Sequence, residues 1–224
     1  MSRLLALETS SSVGSVALMV GSSLTESTIA EPRQQTARLL PLTLELLEQT
    51  GLTLDDLDAV AFGRGPGSFT GLRVAAAVAH GFGLGLGIPL LPISSLAAAA
   101  QGVWRSHGVG HCLICVDARM GEVFWAEYEI RDGLVTPLGR ERLGDPGEVA
   151  WLGPAGGALA GSGLSAYAAE LARVAEAAAL RLPEQMPRAA DLCLLAAADL
   201  AAGRGSPVET ALPVYLRRET AWQR

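Results

Sequence analysis

The sequence predicts an α/β protein built of two similar lobes, each a mixed sheet flanked by helices. Three observations carry this. Short apolar runs alternate with longer segments of helical spacing along the whole chain. The first half opens L-L-A-L-E…G-S-V-A-L-M and the second L-I-C-V-D…G-E-V-F-W-A, so each reads strand, acid, turn with glycine, strand. Each half also carries a glycine-rich turn between a strand and a helix, G-R-G-P-G-S-F-T-G-L-R at 63–73 and G-S-G at 161–163. A divergent duplication with a cleft between its lobes follows. The expected division is 1–102 and 103–224, the C-terminal segment packing back on the first lobe.

In the first lobe, Arg3–Leu7 and Ser15–Val20 predict a hairpin with Glu8 at its turn, and Leu24–Ala30 a third strand. Gln34–Thr50 predicts a helix closed by Gly51, with a kink or a late start at Pro41. Its leucines cover roughly 200° of the helical wheel, against the ~100° stripe that one core contact needs. Either the helix lies between two internal layers, or one face packs inside and the other meets a partner. Leu57–Phe62 is the next strand, followed by the glycine loop and a small-residue helix from about Thr70, capped by Ser68 or Thr70. Ile88–Ile93 predicts a strand, and Ser94 or Ser95 caps a helix reaching Ala100.

After a loop-like Gln101–Gly110, the second lobe is read as strands His111–Val116 and Glu122–Ile130, strand Ala158–Ala160, helix Ser165–Ala179 and helix Ala189–Ala202. Val214, Tyr215 and Leu216 are large and apolar, so the last segment is expected to be ordered.

Composition narrows function. At 224 residues, half of them hydrophobic, the chain can bury a proper core. A net charge of −6 argues against a self-sufficient nucleic-acid binder, leaving only a local patch such as Arg217 with Arg218. No apolar run looks long and uninterrupted enough to span a bilayer, and Glu8 arrives before any signal-peptide apolar region forms, so a cytoplasmic protein is expected. The chain has no lysine, which excludes a Walker-type phosphate lysine and a Schiff base. It has no asparagine, hence no N-glycosylation site. Cys112 and Cys115 form a C-x-x-C behind His107 and His111, but on a strand residues three apart point to opposite faces. They read as buried thiols, with no metal site.

The glycine loop has two readings. Four glycines, at 63, 65, 67 and 71, let the backbone turn and approach a neighbour, and a capped helix start suits an anion such as phosphate. Thr9, Ser10 and Ser11, with Gly65, Gly67, Ser68 and Thr70, are the candidate nucleotide or phosphate residues. The other reading is a strand-to-helix turn that needs glycine for geometry alone. Ser68 lies in P-G-S-F-T, outside a G-x-S-x-G elbow, so a protease is the weakest reading.

The lobe pattern resembles the actin, sugar-kinase and Hsp70 superfamily, of ribonuclease H-like lobes. The motif at 63–73, with P-R-x-x-T-x-R-L-L-P at 32–41, D-A-R-M-G-E-V-F-W-A-E-Y at 117–128 and P-V-Y-L-R at 213–217, resembles the bacterial TsaB (YeaZ) family across nearly the whole chain. That resemblance implies a part in making N6-threonylcarbamoyladenosine on tRNA. TsaD, a paralogue, would transfer the group, with the ATPase TsaE completing the set and tRNA engaged indirectly. The catalytic paralogue's metal pair reads P-x-x-H-x-x-x-H. Here the stretch is P-I-S-S-L-A-A-A, placing Ser95 and Ala99 at the two histidines, and neither can replace an imidazole ligand.

A partner subunit without catalytic residues or a metal is therefore expected, with no tightly bound cofactor and room for ATP or ADP only at a subunit junction. A nucleotide-binding ATPase acting alone is the alternative. Glu8 stands where the family usually has Asp and Gln35 where it often has His, and the longer Glu8 weakens the ATPase case further. The expected surface for TsaD, or for a homodimer when TsaD is missing, is Leu39, Leu40, Leu44, Leu47, Arg73, Ala76, Ala77 and His80 on the two helices.

Overall fold

Alternation along β1 (Arg3–Glu8) and β2 (Gly14–Val20) fixes the layers of the first unit. Leu5, Leu7, Val16 and Leu18 point to one face of their sheet, and Leu4, Ala6, Ala17 and Met19 to the other. Both faces are buried, so the strands read as continuous apolar runs. The computed structural model describes residues 2–153 and 156–217. Arg218 of the candidate basic patch lies outside them. The chain forms two compact units, one of Met1–Ala98 with Pro187–Pro213, the other of Ala99–Met186 with the chain from Val214.

The first unit is a five-stranded sheet ordered β3-β2-β1-β4-β5, with β3 (Ser23–Ile29), β4 (Ala59–Gly65) and β5 (Leu90–Ser94). β1 pairs antiparallel with β2 and parallel with β4, and β4 is parallel to β5. Helix α1 (Gln35–Thr50) connects β3 to β4, and α2 (Phe69–Leu86) connects β4 to β5. Both crossovers step the same way between parallel strands, so right-handed connection puts both helices on one face, running side by side in the same direction. That face holds Leu39, Leu46, Leu47, Ala75, Ala79 and Phe82 against Leu5, Leu7 and Phe62. α1 runs unbroken through the exposed Pro41 and ends on Gly51 in the left-handed conformation (φ 70°). The opposite face is covered by α6 (Ala189–Ala201), whose Cys193 packs on the Leu4 and Ala17 carbonyls.

α2 corrects one expectation. It is 18 residues long with mean hydropathy 1.3, which is long and apolar enough to cross a membrane. Its Leu72, Ala75, Ala76, Ala79 and Phe82 are spent on the sheet, as in a core helix.

The second unit is a six-stranded sheet in which β11 (Leu180–Leu182), β10 (Ala158–Ala160), β6 (His111–Arg119), β7 (Glu122–Arg131) and β8 (Leu134–Pro137) follow in order, with β9 (Arg142–Gly144) also on β7. Leu113, Cys115, Val123, Trp125, Leu159 and Val174 form its core. Two sequence readings change here. α3 runs Ser95–His107, through the stretch taken as a loop, because Val103 is buried in the core and the buried Gln101 side chain is satisfied by the Gly133 carbonyl and the Val135 N–H. The continuous helix expected over Ser165–Ala179 is two short pieces, α4 (Gly163–Ala166) and α5 (Ala172–Glu176), with only Leu171 and Val174 turned fully inward after Gly163.

Candidate functional site

The glycine loop leaves β4 at Gly65, whose φ of 99° only glycine adopts freely, and enters α2 at Phe69. Ser68 is the cap: its Oγ accepts from the Gly71 N–H at 3.3 Å. The other glycines serve close approach to the turn after β1. A Cβ on Gly67 would sit 2.6 Å from the Ser10 carbonyl oxygen, and one on Gly71 would overlap the Thr9 carbonyl oxygen and stand 2.8 Å from its carbon.

Hydrogen bonds close the same contact. Thr9 Oγ1 donates to the Gly71 carbonyl at 2.7 Å, and the Ser68 N–H donates to the Ser10 carbonyl at 2.8 Å. Thr9 and Ser10 are buried, Ser11 Oγ donates to the Val13 carbonyl, and the Ser11 carbonyl accepts from Gln35. Of the seven candidate phosphate residues, then, Thr9, Ser10, Ser11, Gly67 and Ser68 direct polar groups or close backbone contacts at the chain itself. Gly65 supplies the turn, and Thr70 is exposed.

Glu8 completes this cluster. Its side chain is fully buried. Ser95 Oγ donates to Glu8 Oε2 at 3.0 Å and the Ser10 N–H to Oε1 at 2.5 Å, and a Cβ on Gly63 would lie 2.7 Å from the Glu8 carboxyl carbon. Burial pushes the Glu8 carboxyl above the usual carboxylate range, against the opposing pull of its hydrogen bonds to Ser10 and Ser95. The extra methylene relative to Asp carries the carboxyl to Ser95, one of the two positions aligned with the histidines of P-x-x-H-x-x-x-H. The other, Ala99, is a buried methyl. Among the described residues no group of three His, Cys, Asp or Glu could hold a metal ion. Burial pushes the thiols of Cys112 and Cys115 up to about 12; Cys115 packs in the cluster of Leu113, Val123 and Trp125, and Cys112, three residues away on the same strand, is buried on the other face.

The helix residues divide into two groups. Leu39, Leu47 and Ala76 are buried within the unit and do not reach its surface, a correction to the expected surface. Spacing alone put the leucines three to four residues apart all round α1, and only the sheet decides which arc turns in. Leu40 and Leu44 are 44% and 46% exposed on α1, and Arg73 and Ala77 are exposed on α2. His80 is half-buried, its Nε2 donating to the Ala211 carbonyl at 2.7 Å with its ring edge-on to Phe62.

Three features escaped sequence reading. Phe69 is 45% exposed, with the Arg73 guanidinium 3.8 Å over its ring, a pairing that i, i+4 spacing at the helix start could have shown. Glu127, buried on β7, accepts from His111 Nε2 and from the Leu152 and Gly153 N–H groups, pinning that loop to the sheet. Arg217 of P-V-Y-L-R reaches the Ala118 and Arg119 carbonyls at 3.2 and 3.3 Å and pairs with Glu122, clasping the turn of D-A-R-M-G-E.

A family model described as "TsaD: tRNA N6-adenosine threonylcarbamoyltransferase" matches residues 28–222. The tRNA threonylcarbamoyladenosine biosynthesis protein TsaB of Escherichia coli is 36% identical over 99% of this chain and 97% of its own length. The Haemophilus influenzae TsaB is 44% identical over 55% of this chain and 52% of its own. The solved structure of YeaZ from Pseudomonas aeruginosa matches with a TM-score of 0.87 at 37% identity, covering 96% of this chain and all of that one. A second Pseudomonas aeruginosa structure, of a protein described as similar to peptidase YeaZ, matches with a TM-score of 0.90 at 38% identity over 97% of this chain and all of that one.

Proposed function

The chain belongs to the TsaB family of tRNA threonylcarbamoyladenosine biosynthesis proteins, and from that premise we propose that it acts there as a non-catalytic subunit that binds and supports TsaD. The observation that carries this reading is the outward face of α1 and α2. Two parallel helices already committed to one sheet still expose Leu40, Leu44, Phe69 and Leu84. Apolar groups in such numbers on one helical layer suit a second helical layer. A paralogue sharing the fold would offer an equivalent pair, so the same face serves a homodimer when TsaD is missing.

The absence of catalysis rests on the Glu8 cluster. A phosphate seated at the glycine loop would have to displace the Thr9–Gly71 and Ser10–Ser68 hydrogen bonds. A carboxyl that is fully buried and already accepts from the Ser10 N–H and the Ser95 hydroxyl is badly placed to hold a cation carrying phosphate. In this reading no cofactor is tightly bound, ATP or ADP belongs at the junction with TsaD, TsaE joins the larger complex, tRNA is engaged indirectly, and the work is done in the cytoplasm.

Co-purification with the TsaD of the same organism, followed by size-exclusion chromatography with light scattering, tests the reading. A one-to-one complex that replaces a homodimer, and that Leu40→Asp and Leu44→Asp each abolish without loss of folding, is expected. Wild-type protein that forms no complex at micromolar concentration, with or without ATP and TsaE, would overturn it.

A further inference from the structure

Along α2 the outward positions step by about one turn: Phe69, Arg73, Ala77, Gly81 and Leu84. Between the apolar Phe69 and Leu84, Ala77 and Gly81 are small and only Arg73 is charged. A Cβ added at Gly81 would meet nothing within 4 Å, so a neighbouring backbone can come close there. Arg73 stands apart from the other charges on this layer. Arg38 on α1 is answered within its own helix by Glu45 at 3.3 Å. No carboxylate among the described residues pairs with Arg73. Its guanidinium carbon instead lies 3.8 Å over the centre of the Phe69 ring.

An exposed aromatic under an arginine is the composition from which interface anchors are drawn. A guanidinium fork matches a carboxylate in two-pronged geometry, and an exposed aromatic ring under it suits an apolar side chain. We infer that Phe69 and Arg73 are the anchor of the docking face, and that the partner is a helix bringing a carboxylate to Arg73 beside an apolar residue that covers Phe69. This rests on the docking reading above and adds to it the chemistry of the partner: acidic at one end, apolar along the ridge that meets Ala77, Gly81 and Leu40. The stacked pair also gives the face a direction, because the charge lies at the first turn of α2 and nowhere else along its exposed stripe.

Binding of the full chain to TsaD, measured by titration calorimetry at low and high salt, tests the anchor. Arg73→Gln, Arg73→Glu and Phe69→Ala alter exposed side chains, and each variant is first checked for a native melting temperature. Arg73→Gln and Phe69→Ala should each weaken binding about tenfold, Arg73→Glu at least a further tenfold, and Arg73→Gln should flatten the salt dependence of wild type. Leu40→Asp is run alongside. If Leu40→Asp abolishes binding while all three anchor variants stay within twofold of wild type, the anchor is wrong and the docking face stands. Arg73→Glu no weaker than Arg73→Gln would remove the carboxylate from the inference. Full binding by Leu40→Asp would overturn the docking face and the anchor together.

Discussion

Gly71→Ala should damage this protein far more than any helical glycine-to-alanine change ordinarily does. Gly71 lies in the first turn of α2, where alanine would normally help by up to about 1 kcal/mol. Here its Cβ would overlap the Thr9 carbonyl oxygen, and backbone on both sides leaves no flexible group to give way. Relief requires moving the start of α2 off the β1 turn, which breaks the buried Thr9–Gly71 hydrogen bond, worth about 1 kcal/mol net, and strains the packing by a further ~1–3 kcal/mol. The sum is a loss of about 2–4 kcal/mol, or roughly 5–15 °C in Tm for a chain of this size. Gly81→Ala is the matched control. It sits in the same helix with open space around its added methyl and should gain about 0.5–1 kcal/mol. Calorimetry and urea unfolding of both variants decide it. A Gly71→Ala protein melting within about 2 °C of wild type would show that the loop does not press on the β1 turn and leaves room there for another group.

Three further outcomes are expected. Glu8 has its pKa raised in the folded state, so the stability tied to its proton is full below the unfolded value and is lost as pH rises through the folded one; Glu8→Gln keeps the neutral shape, so its stability relative to wild type should climb with pH, and a difference that stays flat in urea titrations from about pH 4 to about pH 8 would contradict the assignment. Leu47→Asp, on a side chain only 3% exposed, should yield little folded protein where Leu44→Asp yields a normal melt, since a lone buried charge cannot be accommodated; equal melts would place α1 in the wrong rotation. Arg217→Ala should cost about 1–2 kcal/mol and speed amide exchange in 117–122, while Met120→Asn, at a residue with φ 60°, should recover about 0.5–1 kcal/mol; unchanged exchange in that hairpin would mean the clasp holds nothing.

Much of the first unit was legible because its signals are local. Period-two alternation, a glycine after a leucine-rich helix and a serine before a small-residue helix each announce one element, and β1 to β3, α1 and α2 follow them closely. The second unit was less legible for a physical reason. β8, β9 and β11 are three or four residues long and half-exposed, so they carry no periodicity to read. Ser165–Ala179 is alanine-rich and favours helix everywhere, yet it turns inward only at Leu171 and Val174, and local propensity gave way to tertiary packing. The same limit applied to the leucines of α1. Their spacing marks two faces, and only the sheet tells Leu39 and Leu47 from Leu40 and Leu44.

The glycine loop shows why a motif can be read correctly as geometry and still leave its chemistry open. Glycines at 63, 67 and 71 admit a close neighbour, and sequence says nothing about whether that neighbour is a phosphate or the chain itself. The answer depends on Glu8, 55 or more residues away, and on Ser95 beyond it. With a shorter acid at position 8 the carboxyl would stop short of Ser95, and the space over Gly63 would be open to something else. With Glu8 and Ser95 together, that space is filled and the hydrogen bonds are met from within. The two positions should therefore depend on each other. Ser95→Ala alone strips a buried carboxyl of one partner and should cost about 1–3 kcal/mol, whereas in a Glu8→Ala background the same change should cost markedly less. A double-mutant cycle read by urea unfolding measures that coupling, and strictly additive losses would mean that Ser95 holds no part of the Glu8 carboxyl in solution.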